Sequence, residues 1–240
     1  MRKFKIYHLF YDLLNLYGDR GNIACIERRL AWRNIPYETH RIGINDEFDL
    51  QDADFVLLGG GSDREQAIVC ERLKQIRQQL VDYVESNGVL LAICGGYQLL
   101  GKSYIMNDET IEGLNILDIK TIKGDVRLIG NVVIDSPWVE SKIVGFENHS
   151  GKTLINNYQP LGKVLVGYGN DGSKENEGLI YKNVIGTYLH GPLLPKNPEV
   201  ADKLISLALA RKNWDIPLDK LNDEEELVAK KIMIDRLLNM

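Results

Sequence analysis

The sequence predicts an α/β protein, a mainly parallel sheet with helices on both faces and a strand-rich second half. Three observations carry that expectation. Strand-length and helix-length patterns alternate through the first half, which is how βαβ units read. The run Val89-Leu90-Leu91-Ala92-Ile93 is apolar throughout, as a strand buried on both faces of a parallel sheet must be. Helix signals punctuate the alternation: Ser62-Asp63-Arg64-Glu65 is a capping box, and Gly88 stands where the helix after it should stop.

In order, residues 4–10 read as a strand and residues 22–34 as a helix, with Ile23, Ile26 and Leu30 on one face. Residues 37–42 and 55–58 read as strands. The capping box opens a helix running to about Glu85, and the strand ending at Cys94 follows. The second half holds candidate strands at 116–122, 127–136, 143–147, 164–168, 179–181 and 184–189. Asn197-Pro198 then opens a helix, with Asn as N-cap and Pro in the first turn. The last segment carries Asp223, Glu224, Glu225 and Glu226 at its start and Lys230 and Lys231 further on. That order suits a helix dipole, so the acidic run reads as a solvated helix start and not as a metal site. No linker-like stretch interrupts residues 1–240, which read as one domain.

The chain has 240 residues, 44% of them hydrophobic, enough for one sizeable core. Its apolar runs are all strand-length, which predicts no membrane span. The basic start Met1-Arg2-Lys3 passes straight into a strand pattern and is no signal peptide. Cys25, Cys70 and Cys94 are too few and too scattered for a disulfide framework or a zinc site, and they fit a reducing cytoplasm. A net charge of −5, from 29 basic and 34 acidic residues, offers no basic patch for nucleic acid.

The chemistry is concentrated where apolar runs end. Cys94 closes one such run and is followed at once by Gly95 and Gly96. A nucleophile held in a sharp strand-to-helix turn needs small neighbours, and such an elbow projects its side chain beyond the carboxyl end of the sheet. The other reading of Cys94 is a buried small hydrophobe. A second apolar run, Val184-Ile185-Gly186-Thr187-Tyr188-Leu189, ends on His190. A thiol near its free pKa needs a base or cation beside it, and two strand ends can bring Cys94 and His190 together despite their separation in sequence.

Cys94-Gly95-Gly96-Tyr97-Gln98 resembles the C-x-G-x-Q element of class I glutamine amidotransferases, and Thr187-Tyr188-Leu189-His190-Gly191 the T-Y-x-H-G element of their cobyric-acid-synthase-like branch. Asn15-Leu16-Tyr17-Gly18-Asp19-Arg20-Gly21-Asn22, Gly59-Gly60-Gly61-Ser62-Asp63-Arg64-Glu65-Gln66 and Gly145-Phe146-Glu147-Asn148-His149 follow the order found in one subfamily. That subfamily is the glutaminase subunits of lipid II isoglutaminyl synthases, and the resemblance runs along essentially the whole chain. It implies a single class I amidotransferase domain that hydrolyses glutamine through a cysteine thioester. It also implies a heterodimer with a Mur-ligase-like synthetase subunit that receives the ammonia. ATP and magnesium are then expected on that subunit, with no cofactor and no metal in this chain, and lipid II is reached through the partner.

With that resemblance, Cys94 and His190 are the expected nucleophile and base. Gly95 and Gly60 are the expected oxyanion-hole donors, through their backbone amides. Arg127 takes the place of the arginine that binds the α-carboxylate of glutamine, and Gln98 is expected to line the same pocket. Without the resemblance, Arg127 also reads as a solvated strand-edge residue, Gln98 as a helix-surface residue and the triple glycine as a tight turn. Two positions depart from the wider class. Pro192 stands where an acid usually orients the histidine, so the resemblance implies an aspartate contributed by the synthetase subunit. Ala92 replaces a glycine two residues before the nucleophile.

Other features compete for attention. His149 is a rival base, although the resemblance places its motif in a loop near the pocket. His8 and His40 lie within strand patterns and read as structural. Gly96-Tyr97-Gln98-Leu99-Leu100-Gly101-Lys102-Ser103 fits the P-loop pattern letter for letter. A working P-loop needs its Lys and Ser to open a long helix, whereas here a strand-like pair and a turn at Asn107-Asp108 follow. The alternatives are a glutaminase serving another acceptor, as in corrinoid amidation, a P-loop nucleotide-binding protein, and a scaffold subunit without turnover.

Overall fold

The computed structural model describes residues 2–106 and 109–239. Its first half alternates as expected: β1 (Phe4–Leu9), α1 (Arg20–Trp32), β2 (Tyr37–Ile42), β3 (Phe55–Leu58), α2 (Asp63–Gln75), α3 (Arg77–Glu85), β4 (Val89–Ile93) and α4 (Gly95–Leu99). Then come β5 (Ser103–Met106), β6 (Glu109–Glu112), β7 (Lys120–Asp135), β8 (Ile143–Leu154), β9 (Gly162–Val166) and β10 (Asn176–Glu177). The chain closes with β11 (Leu179–Tyr181), β12 (Val184–Thr187), α5 (Leu193–Lys196), α6 (Pro198–Arg211) and α7 (Glu224–Leu238).

One six-stranded sheet runs β11-β12-β4-β3-β1-β2, parallel throughout except for the β11–β12 pair. β3, β4 and β12 are buried along their whole length, which is why they read as continuous apolar runs. β2 is half-exposed and carries Glu38, His40 and Arg41, as an edge strand should. α1 and α6 pack together over this sheet. The register sets the strand ends level: Leu9 lies beside Leu58, Leu58 beside Ala92, and Thr187 beside Ile93. Everything that follows β1, β3, β4 and β12 therefore emerges at one edge.

The second half departs from a single sheet. β5, β6, β7, β9 and β10 build a second sheet in the order β10-β9-β7-β5-β6, with β8 paired to β7. The candidate strands at 116–122 and 127–136 are largely one strand, β7, whose pairing with β8 slips between Lys123 and Leu128. Gly124-Asp125 looks like a break in sequence, but a bulge absorbs such residues without ending the strand. β8 likewise continues past residue 147 to Leu154. The two sheets meet at His190, whose N–H donates to Phe146 O at 2.8 Å while Phe146 N–H donates to His190 O at 3.2 Å.

Helix signals are mostly obeyed. Ser62 N–H donates to the Glu65 carboxylate at 2.7 Å, completing the capping box, but the helix breaks at Ile76 into α2 and α3. Asn197 precedes α6 with Pro198 in the first turn, yet its side chain bonds to Val144 and Leu193 rather than capping. Asp223 is not simply solvated, since it accepts both hydrogen bonds of a bidentate pair from Arg29, at 2.6 and 2.8 Å. The turn expected at Asn107-Asp108 lies outside the described residues. Among the described residues no helix is long and apolar enough to cross a membrane.

Candidate active site

Cys94 sits in the sharp turn between β4 and α4 with φ 52° and ψ −107°. A non-glycine residue there stores about 1–3 kcal/mol of strain, which surrounding contacts must sustain. They do: Cys94 N–H donates to Thr187 O at 2.8 Å, Gln98 N–H to Cys94 O at 3.0 Å, and Gly96 N–H to Gly59 O at 3.1 Å. A Cβ on Gly95 would lie 2.2 Å from Gln66 Nε2, so any side chain there would displace Gln66 from the cavity wall.

His190 is fully buried one strand away. Gly60 lies between the two groups, and a Cβ on it would fall 3.2 Å from Cys94 Cβ and 3.1 Å from His190 Cε1. The absent side chain is what lets imidazole and thiol approach. A carboxylate of this chain does stand beside the ring. Asp19, fully buried in the turn before α1, places Oδ1 3.2 Å from His190 Nδ1. Pro192 indeed carries no carboxylate, but Asp19, in the turn between β1 and α1 and 171 residues upstream, places one at the ring. Burial opposes charge on the His190 ring, yet the Asp19 carboxylate and the Cys94 sulfur outweigh it and raise the pKa to about 10. Nε2 makes no hydrogen bond of ordinary geometry and is the nitrogen left for Cys94.

Asp19 also changes the reading of Gly60. Its Oδ2 accepts the Gly60 N–H at 2.8 Å, so that amide is spent as placed, and service in an oxyanion hole would require Asp19 to release it. The Gly95 N–H opens α4, where the first amides of a helix have no intrahelical acceptor.

A cavity of about 740 Å³ opens in front of Cys94, with Gln66, Gln98, Arg127, Asn148 and His149 among its lining. Arg127 lies in the β7 bulge and is exposed; its Nε donates to Asn148 Oδ1 at 2.6 Å and its Nη2 to Tyr17 Oη at 3.3 Å. Tyr17 in turn lays its ring edge against His190, with centroids 4.9 Å apart. Gln98 donates to Tyr188 Oη at 2.9 Å, buried in the cavity wall and not on a helix surface. His149 stacks on Tyr188 at 3.6 Å, holds Gly151 O through Nδ1 at 2.8 Å and faces the Glu147 carboxylate through Nε2 at 3.6 Å, whereas the ring beside the Cys94 sulfur is His190. Asp19, Tyr17, Gln66 and Asn148 all stand in motifs visible in the sequence, but nothing local assigned them these contacts.

Behind the site, buried Glu177 accepts from Thr187 Oγ1 at 2.6 Å and Tyr188 N–H at 2.8 Å. Burial pushes its carboxyl from 4.5 up to about 7 against the pull of those two hydrogen bonds. The folded state thus keeps a proton that the unfolded chain releases near 4.5, so stability falls as pH rises from there through about 7, by on the order of 3 kcal/mol. Glu177→Gln should remove that loss. Thermal melts should show the variant gaining on the wild type at about pH 8 relative to about pH 5, and an unchanged difference would refute this account.

The P-loop pattern does not fold as one. α4 ends at Leu99, Lys102 pairs with Asp118, and Ser103 opens a strand. His8 lies buried in β1, where burial holds its pKa down to about 4, and His40 lies in β2 beside Glu38 at 3.2 Å. Among the described residues no three His, Cys, Asp or Glu side chains are grouped to hold a metal ion.

Residues 5–198 match the family model of the CobB/CobQ-like glutamine amidotransferase domain. The GatD subunit of lipid II isoglutaminyl synthase (glutamine-hydrolyzing) from Staphylococcus aureus (strain N315) is 44% identical, over 98% of this chain and 97% of that protein. The GatD subunit from Streptococcus pneumoniae (strain ATCC BAA-255 / R6) is 38% identical, over 91% of this chain and 85% of that one. The Thermotoga maritima PurLQS structure superposes with a TM-score of 0.59 over 88% of this chain and 100% of that one, at 16% identity, which speaks for the fold alone. The chain belongs to the CobB/CobQ-like glutamine amidotransferase family, among the GatD subunits.

Proposed function

We propose that this chain is the glutaminase subunit of a lipid II isoglutaminyl synthase, releasing ammonia from glutamine for a Mur-ligase-like synthetase subunit. The observation that carries the reading is the alignment of buried Asp19, His190 and Cys94 at the head of the cavity. Cys94 Sγ, its proton already passed to His190, attacks the side-chain amide carbon of glutamine. The tetrahedral intermediate places its oxyanion toward the Gly95 N–H. His190 then protonates the leaving nitrogen, ammonia departs, and a thioester remains. Water, deprotonated by His190, hydrolyses the thioester to glutamate and restores the thiol. Arg127 is the cation for the substrate α-carboxylate, oriented by Asn148, and Gln98 faces the same cavity.

The acceptor step belongs to the partner. A synthetase using ATP and magnesium would activate the α-carboxyl of D-glutamate in the lipid II stem peptide, and ammonia would convert it to D-isoglutamine. The test is a paired assay of ammonia release from glutamine and of lipid II amidation, with the chain alone and with the synthetase subunit. Both products should appear in the complex. Ammonia without amidation would retain the glutaminase and remove lipid II as acceptor, and no ammonia in either sample would overturn the reading.

A further inference from the structure

We propose that the side-chain amide of Gln66 is an oxyanion donor of this site, beside the Gly95 N–H; the inference rests on the glutaminase reading. An oxyanion is held best by donors fixed in place before the charge develops. Gly60, expected to stand with Gly95 in that role, has its N–H committed to Asp19 Oδ2 at 2.8 Å. The hole therefore lacks its expected second donor, and Gln66 lies next to the first. The capping box fixes where α2 begins, so residue 66 falls one turn into the helix. Its N–H donates to Ser62 O at 2.8 Å, which closes that turn, and α2 packs there against α4.

The Gln66 side chain is buried, lines the cavity together with Cys94, and fills the space that a side chain on Gly95 would take. A Cβ there would lie 2.6 Å from Gln66 Cδ and 2.9 Å from Cγ, as well as against Nε2. Cβ and backbone nitrogen are bonded to the same Cα, so Nε2 lies close beside the Gly95 N–H. Nε2 donates to Gly61 O at 3.2 Å. A carbonyl oxygen only accepts, so the atom facing it is the nitrogen, and the carboxamide can be turned only one way. That bond holds the side chain in place and uses one of its two N–H groups. The second has no acceptor among the described residues and is left for an oxygen that enters the cavity.

The test compares the wild-type chain with Gln66→Met and Gln66→Glu, each alone and with the synthetase subunit. Methionine keeps the length and helix propensity of glutamine but offers no donor. Its kcat should fall about 10²–10³-fold, the usual loss for one oxyanion donor, with KM for glutamine within about twofold. Gln66→Glu turns oxygen toward both Gly61 O and the oxyanion, and should fall at least as far. The γ-aldehyde of glutamate separates a donor from a mere prop. Cys94 Sγ bonds its carbonyl carbon, and the oxygen takes up the proton that His190 holds, giving a tetrahedral hemithioacetal. Binding of this mimic should weaken at least about tenfold in Gln66→Met, while alkylation of Cys94 by iodoacetamide keeps its wild-type rate. Wild-type kcat in Gln66→Met, unchanged aldehyde binding, or a parallel fall in alkylation would each overturn the proposal. A wild type that releases no ammonia in either sample would instead fail the glutaminase reading. Should neither variant fold, a crystal structure of the wild type with the aldehyde bound decides. An adduct oxygen within about 3.2 Å of Gln66 Nε2 supports the proposal, and one held by backbone amides alone refutes it.

Discussion

Replacing Cys94 with alanine is expected to abolish ammonia release while leaving the fold intact. The exchange removes one sulfur atom from a residue whose backbone is held by Thr187, Gln98 and the strand before it. Losing the nucleophile of a nucleophile–base pair costs about six orders of magnitude in a comparable hydrolase, so the variant should be indistinguishable from the uncatalysed background. Cys25→Ala and Cys70→Ala are the controls. Burial pushes the Cys25 thiol up to about 12 and raises that of Cys70, and neither residue stands at a strand end in the cavity. Steady-state ammonia release from the three variants checks this, and measurable turnover by Cys94→Ala would remove the thioester route.

His190→Ala should lose catalysis on a similar scale and, unlike Cys94→Ala, should also lose stability. The ring is fully buried against Asp19, and removing it leaves a carboxylate in the interior with only the Gly60 amide for company. Breaking a buried ion pair from one side costs about 3–5 kcal/mol. The sign with pH follows from a histidine raised to about 10: its contribution is complete below about 6.5 and is lost as pH rises through 10. The melting-temperature gap between wild type and His190→Ala should therefore narrow toward alkaline pH. A gap that widens would mean the ring is not held as a cation in the folded state.

How much of this could be read in advance divides along a physical line. The strands carrying Cys94 and His190 were legible because burial on both faces forces an uninterrupted apolar run, and their ends were legible because a sharp turn demands glycine. The order of motifs was sufficient to imply the family. Arg127 could be placed at a pocket by resemblance, but not the bulge that holds it there, since a bulge looks like a loop in one dimension. The second sheet was seen only as extra strands, because pairing is a relation between segments and leaves no periodic mark on either one.

Asp19 shows the limit most clearly. By sequence alone this chain pointed to Cys94 as the expected nucleophile, to His190 as the expected base and to Pro192 where an acid was expected beside it. Only the tertiary structure placed the Asp19 carboxylate, from the turn between β1 and α1, beside His190 Nδ1 and on the Gly60 amide. Local propensity assigns an aspartate before a helix to capping, a preference worth about 1 kcal/mol. Strand order placed β1 beside β3 and β3 beside β4, and at that sheet edge a buried histidine competes for the same carboxylate. A charge-assisted bond out of reach of water is stronger than a solvent-exposed cap, so the long-range partner takes the side chain.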